Sequence, residues 1–273
     1  EKLLDPITGS PSEGREVLGV ICLHVDDLFM TGSKQFYEKI GASLRKEYQI
    51  GSEDKDDVVF TGQRIRWEGS KLVVDQDKAV EELIEIALEK HSKEATPCTP
   101  AQHTEFRSLL GSLNWLQSRT QFAVCYSFSR AASASAAPTL GDIKALNKIV
   151  RTIRSRPQRL IFHPLRGTLR LLGYPDASYR NNSDSSPQRE QVIFLAEQKQ
   201  SIRKDVTGSS PGNSRGSLIE YESTKIRRTT LSTTVAELYS FMKCYGTCLF
   251  LRGLWKDISG QTAALHMRTD AHN

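Results

Sequence analysis

Thr168-Leu169-Arg170-Leu171-Leu172-Gly173-Tyr174-Pro175-Asp176 sets the architecture of the C-terminal third of the chain. The run up to Tyr174 is short, apolar and rich in β-formers, which predicts a strand that delivers Asp176 directly after its end. Two more acids stand in comparable places. Glu237 falls early in 234–257, whose apolar period predicts a long helix, and Asp270 comes directly after 262–268, which predicts a final strand. If the two strands pair in one sheet with the helix packed on it, the three carboxylates converge on one point. Hard oxygen donors of that kind suit Mg²⁺ or Mn²⁺. Two such ions can activate a water and stabilise the leaving oxygen in phosphodiester hydrolysis. Residues 191–196 and 217–225 predict two further strands, separated by a Gly/Ser/basic loop over 198–216.

Working towards the N-terminus, Pro157 ends a helical region that starts after Pro97 and Pro100. Thr104 is the expected cap of a first helix burying Phe106, Leu109, Leu110, Leu113 and Leu116; a second helix runs near 122–135. Thr139 precedes a third, with Ile143, Leu146, Ile149, Val150 and Ile153 on one face. Lys144, Lys148, Arg151 and Arg154 lie on this last helix, where long cationic side chains can reach phosphates.

The first block carries a second acidic feature. Residues 17–31 are almost continuously apolar and β-prone, broken only by His24, Asp26 and Asp27, which predicts two short buried strands with the acidic pair at their hairpin. Like charges at contact distance raise each other's pKa, a cost that a divalent cation removes. Neighbouring strand residues face opposite ways, so one of the pair would face the metal and the other support it. The plain alternative is a solvated turn. Ser33 is placed to cap a helix repeating Phe36, Ile40, Leu44 and Tyr48. A hairpin follows, with strands over 58–67 and 71–75 around Glu68-Gly69-Ser70, then a helix burying Val80, Leu83, Ile84, Ala87 and Leu88. The first ten or so residues hold Pro6, Gly9 and Pro11 without an apolar period and read as a loop.

The chain has 273 residues, with 38% hydrophobic and 25% charged. That is enough for one large or two modest domains and excludes a disulfide miniprotein. Its net charge of +5 is unevenly spread: 13 basic residues face 20 acidic ones over 1–95, nine face two over 96–165, and 15 face ten over 166–273. An acidic block followed by two basic ones suits carboxylates holding metal in one place and a surface for a phosphate backbone in another. Five cysteines, Cys22, Cys98, Cys125, Cys244 and Cys248, form no Cys-x-x-Cys pair, which points to reduced thiols inside a cell. Cys244 and Cys248, four apart on the long helix, read as part of a buried apolar face, with metal binding the alternative. No stretch long and apolar enough for a membrane span or secretory signal is readable, so no membrane partner is expected.

The stretch His24-Val25-Asp26-Asp27 resembles the Tyr-Val-Asp-Asp box of reverse transcriptases. It is followed in order by Phe60-x-Gly62, Thr96-Pro97-Cys98-Thr99-Pro100, Phe106-Arg107-Ser108-Leu109-Leu110-Gly111-Ser112-Leu113-Asn114-Trp115-Leu116 and Ala145-Leu146-Asn147-Lys148-Ile149-Val150-Arg151. Gly173-Tyr174-Pro175-Asp176-Ala177-Ser178-Tyr179, Leu231-Ser232-Thr233-Thr234-Val235-Ala236-Glu237-Leu238-Tyr239 and Leu251-Arg252-Gly253-Leu254 complete the series. This ordered set, covering nearly the whole chain, is similar to the copia-type LTR retrotransposon polyprotein.

The resemblance implies an α+β chain: a partial polymerase palm over 1–95, a helical thumb or connection over 96–165 and an α/β ribonuclease H-like domain over 166–273, truncated at its C-terminus. In an intact parent, Asp26 and Asp27 would serve RNA-directed DNA synthesis, and Asp176, Glu237 and Asp270 would hold Mg²⁺ or Mn²⁺ for hydrolysis of RNA in RNA–DNA hybrids. Expected partners are primer–template nucleic acid, the hybrid, and the remaining parts of the same polyprotein, in the cytoplasm or nucleus. His24 stands where the family usually has Tyr, and Glu190 where Gly is common. The competing expectation is a retroelement remnant that binds nucleic acid and catalyses nothing.

Overall fold

The computed structural model describes residues 17–89, 92–182, 184–198 and 215–270. The expected N-terminal loop, most of the 198–216 loop and the last three residues therefore lie outside the described residues. Helices and sheets are mixed in an α+β arrangement with three sheets.

Strands β1 (Gly19–His24) and β2 (Asp27–Gly32) form an antiparallel hairpin, and helix α1 (Lys34–Glu47) follows, its N-terminus capped by Ser33, whose Oγ accepts from the Phe36 N–H at 3.2 Å. The expectation of buried strands is corrected: Ile21 is 40%, Leu23 70% and Val25 83% exposed. A two-stranded sheet has only two faces, and among the described residues little of either is covered: helix α1 lies against β2.

The next sheet runs β3 (Asp57–Phe60), β4 (Gln63–Glu68), β5 (Lys71–Asp75) and β6 (Leu160–Phe162), antiparallel throughout. The single strand expected over 58–67 is thus two. Phe60 pairs with Gln63 across a two-residue turn in which Thr61 and Gly62 both have positive φ, 49° and 72°, the backbone that favours tight hairpins. A Cβ on Gly62 would sit 2.7 Å from the Trp115 ring, so glycine serves both the turn and the close approach. Strand β6 was not anticipated, since three residues after a proline carry no period; they are a strand only because β5 offers a free edge.

Between these strands lie α2 (Asp77–Glu81), α3 (Pro100–Gln117), a 3-10 turn (Phe122–Val124), α4 (Cys125–Ser133) and α5 (Leu140–Ser155). The cap of α3 is Thr99 rather than Thr104. Thr99 and Gln102 exchange a capping box with Pro100 in the first turn, which moves the helix start upstream. Thr139 caps α5 as expected, in a capping box with Asp142. Phe106, Leu113, Ile143, Leu146 and Val150 are fully buried where these helices meet.

The helix expected over 80–88 stops at Glu81. Val80, Leu83 and Ile86 do enter the helical core, while Ile84 is 79% exposed. The competing interaction is Asn147, itself buried on α5. Its Oδ1 accepts from the Ile86 N–H at 2.9 Å and its Nδ2 donates to the Ile86 C=O at 2.8 Å. Both backbone groups of Ile86 are thereby satisfied without a helical turn.

The last sheet has the order β10-β7-β8-β9, built from β7 (Leu169–Ser178), β8 (Gln188–Glu197), β9 (Gly216–Lys225) and β10 (Ala264–Met267). Strand β10 is parallel to β7 and the other pairs are antiparallel. Helix α6 (Thr233–Ser259) packs on one face, against β7 and β8. Helix α4 and strand β6 lie against β9, joining this sheet to the rest of the molecule. No described helix is long and apolar enough to cross a membrane.

Replacing Asn147 with Ala leaves the buried N–H and C=O of Ile86 without partners, at about 1–3 kcal/mol for each such group. Asn147→Ala is expected to lower unfolding free energy by about 2–4 kcal/mol in urea titrations, whereas the exposed Lys148→Ala stays within about 0.5 kcal/mol of wild type.

Candidate metal centre

The centre sits at one end of the last sheet. Because β10 runs parallel to β7, with Met267 opposite Gly173, the C-terminal ends of both strands point the same way, and the Arg268 N–H donates to the Gly173 C=O at 2.9 Å. Asp270 follows three residues after β10 closes. Asp176 lies inside β7 rather than after it, because the β8 ladder carries the strand on to Ser178, opposite Gln188. The N-terminus of α6 is anchored at the same end: Ser232 Oγ accepts from the Val235 N–H at 3.3 Å, and fully buried Ala236 packs against Ala177 and Ile226.

This seating requires Gly173. A Cβ there would lie 2.8 Å from Met267 Sδ, 3.0 Å from Cys244 Sγ and 3.1 Å from Cys248 Sγ, so even an alanine forces β10 or α6 side chains to shift. Cys244 and Cys248 are fully buried against Leu171, Ile193 and Ala263, the apolar face anticipated for them.

With the helix seated, Glu237 meets the strand. Its Oε1 accepts from the Ala177 N–H at 3.2 Å. One ligand oxygen from each of Asp176, Glu237 and Asp270 lies within 4.8 Å of the others. Asp176 and Asp270 are exposed and Glu237 is half-buried. Glu237 Oε2 is shielded from solvent and has no hydrogen-bond partner. Burial first, then the charges of Asp176 and Asp270, push the Glu237 carboxyl above its usual range, against the Ala177 hydrogen bond that lowers it. A buried carboxylate oxygen without a donor, facing two like charges, is an environment that a divalent cation satisfies. The three carboxylates expected to converge from their sequence positions do so and could hold a metal ion.

The other acidic pair is placed differently. Asp26 is in the turn between β1 and β2, Asp27 pairs with His24 across it, and both are exposed. Among the described residues neither joins a group of three metal-ligating side chains. His24 and Phe29 pack against Phe60, at 6.4 and 5.5 Å between ring centroids, so the two hairpin tips of the first block touch.

The four cations on α5 divide into two kinds. Lys144 donates to the Ser92 C=O at 3.2 Å and pairs with Glu94, and Arg151 pairs with Glu85. Lys148 and Arg154 are exposed with no ion pair among the described residues. Sequence inspection missed what pairing does to Glu190. It stands directly opposite Asp176 in the β7–β8 ladder, accepts from Ser223 Oγ at 2.9 Å, and its backbone C=O accepts from Ser240 Oγ at 2.8 Å. Only the strand register could have revealed it.

A scan against protein-family models gives no match for this chain, and neither does a search of curated proteins.

A carboxyl whose folded pKa exceeds its ordinary 4.5 costs stability once ionised. Without divalent cations, stability should therefore fall as pH rises from about 4.5 through the raised value and then level off. Glu237→Gln should remove that part of the decline in thermal melts across pH. At pH 7.5, Mg²⁺ or Mn²⁺ should raise the melting temperature of the wild type but not of Asp176→Asn/Glu237→Gln.

Proposed function

We propose that Asp176, Glu237 and Asp270 form the metal-binding centre of a ribonuclease H-like domain acting on the RNA strand of RNA–DNA hybrids. On this reading the chain derives from a copia-type retroelement polyprotein, with a partial palm over 1–95 and a helical thumb or connection over 96–165. The observation that carries the reading is the convergence of three carboxylates, from two neighbouring parallel strands and the first turns of the helix packed on them, around the unpartnered Oε2 of Glu237.

When bound, Mg²⁺ or Mn²⁺ supplies the charge that activates water and stabilises a departing oxygen in phosphodiester hydrolysis. The protein's own part is positioning. Asp176 and Asp270 are exposed, so a backbone phosphate can approach them from solvent; Glu237 is fixed by the Ala177 N–H. Lys148 and Arg154 remain for phosphate contacts away from the centre, and each such contact adds to a salt-dependent, sequence-independent affinity. Asp26 and Asp27, solvent-facing at a hairpin tip, support at most a polymerase role in the intact parent.

The test is incubation of the chain with a hybrid labelled on its RNA strand, in Mn²⁺ and in Mg²⁺. Cleavage is expected to be weak, stronger in Mn²⁺, and reduced at least about 100-fold by Asp176→Asn, with hybrid binding retained and falling steeply between about 50 and 200 mM salt. Cleavage undiminished by Asp176→Asn would put the centre elsewhere. Salt-sensitive binding without cleavage in either metal would identify a nucleic-acid-binding remnant.

A further inference from the structure

The β10-β7-β8-β9 sheet has a second face. Leu171, Gly173 and Ala177 point to α6, so residues of the opposite parity point away from it. On β8 these are Glu190, Val192 and Phe194, and opposite them on β9 are Tyr221 and Ser223. Helix α4 crosses this face on polar struts: Gln188 Nε2 donates to Ser129 Oγ at 3.0 Å, and Asn181 Nδ2 to the Tyr126 hydroxyl at 2.9 Å. Between α4 and the strands a cleft of about 480 Å³ remains, bordered by β6. Its walls are Phe122, Tyr126, Val192, Phe194 and Tyr221, with Glu190 among them. Phe122 and Tyr221 meet edge to face at 5.7 Å.

Two of the cations beside the cleft are paired. Arg189 is bonded to Glu222 at 3.0 and 3.1 Å, and Arg159 to Asp77 at 2.5 Å. Arg119 is exposed outside the lining, and its charge acts on the Tyr221 hydroxyl, against the burial that pushes that group up. Glu190 accepts one neutral hydroxyl and has no cationic partner among the described residues. Burial, followed by the charge of Glu190, pushes the Cys125 thiol up to about 12.

We propose that this cleft binds a small organic ammonium ion, with the charged nitrogen at Glu190 and the hydrocarbon part between the aromatic walls. Aromatic faces attract cations through their quadrupole, and the volume falls in the range of small-molecule sites, about 300–1,000 Å³. The alternatives fit worse. A metal ion would find Glu190 beside a Glu222 already paired with Arg189, and neither belongs to a converging set of three ligands; an anion would meet the Glu190 charge, and a neutral apolar ligand would strip water from that carboxylate without replacing it. Glu190 is the cross-strand neighbour of Asp176, so the cleft borders the carboxylate centre, yet the proposal does not depend on the hydrolytic reading.

The probes are benzylammonium and its neutral counterpart benzyl alcohol, titrated into the full chain at neutral pH and followed by calorimetry and NMR. Benzylammonium should bind at least 10-fold tighter than the alcohol, with intermolecular NOEs to the Phe194 and Tyr221 rings. Glu190→Gln should abolish the preference for the ammonium, and Phe194→Leu should weaken both ligands. Equal affinity for the two probes, no binding of benzylammonium, or a preference that survives Glu190→Gln would overturn the assignment. If Glu190→Gln does not fold, the NOEs on the wild type decide: their absence overturns the proposal as well.

Discussion

The contact between α6 and β7 at Gly173 governs the C-terminal part of the molecule. Without a side chain at that position, Cys244, Cys248 and Met267 close over the strand, the helix settles at van der Waals distance, and its first turns descend to the level of Ala177. Only then does Glu237 reach the Ala177 N–H and share a space with Asp176 and Asp270. A centre of three like charges is assembled by apolar packing one to three turns away. The packing free energy of the helix offsets the repulsion the carboxylates carry while no cation is present.

The rest of the chain is held together by a few buried polar contacts set in apolar surroundings. Asn147 joins α5 to Ile86. Gln76 Oε1 accepts from the Thr120 hydroxyl at 2.8 Å, and Gln121, fully buried beside it, donates to the Gln158 C=O and accepts from the Gln158 N–H, both at 3.0 Å. These links tie the strands of the first block to the helices and to the segment that returns as β6. Hydrogen bonds of this kind add modest net stability but are costly to break one-sidedly, so they specify how the layers fit more than how strongly they adhere.

Charge is divided with the same economy. Many cations of the basic helical block are spent inside the molecule, as Lys144 on Glu94 and Arg151 on Glu85 show, and exposed pairs of that sort contribute little to stability. Glu190, Glu237, Asp176 and Asp270, none in an ion pair among the described residues, lie at one end of the β10-β7-β8-β9 sheet. Residual field of one sign in a concave region attracts ligands of the other.

Composition and periodicity by themselves determined the mixed α+β character, the amphipathic helices after Pro100, the cap at Thr139, the long helix carrying Glu237, and the strands that bring Asp176 and Asp270 to the sheet end. Each depends on interactions a few residues apart, which a linear pattern records. Tertiary structure alone decided where that pattern gives way. Residues 82–88 have a helical apolar period, yet Asn147, some 60 residues distant, offers Ile86 a better partner for both backbone groups. Leu160–Phe162 becomes a strand because β5 has a free edge, and the apolar 17–31 hairpin stays exposed because no layer of the described residues covers it. Glu190 is an ordinary acid until the β7–β8 register sets it opposite Asp176. In each case the deciding partner lies far along the chain, and its effect comes from satisfying or burying groups that local sequence leaves open.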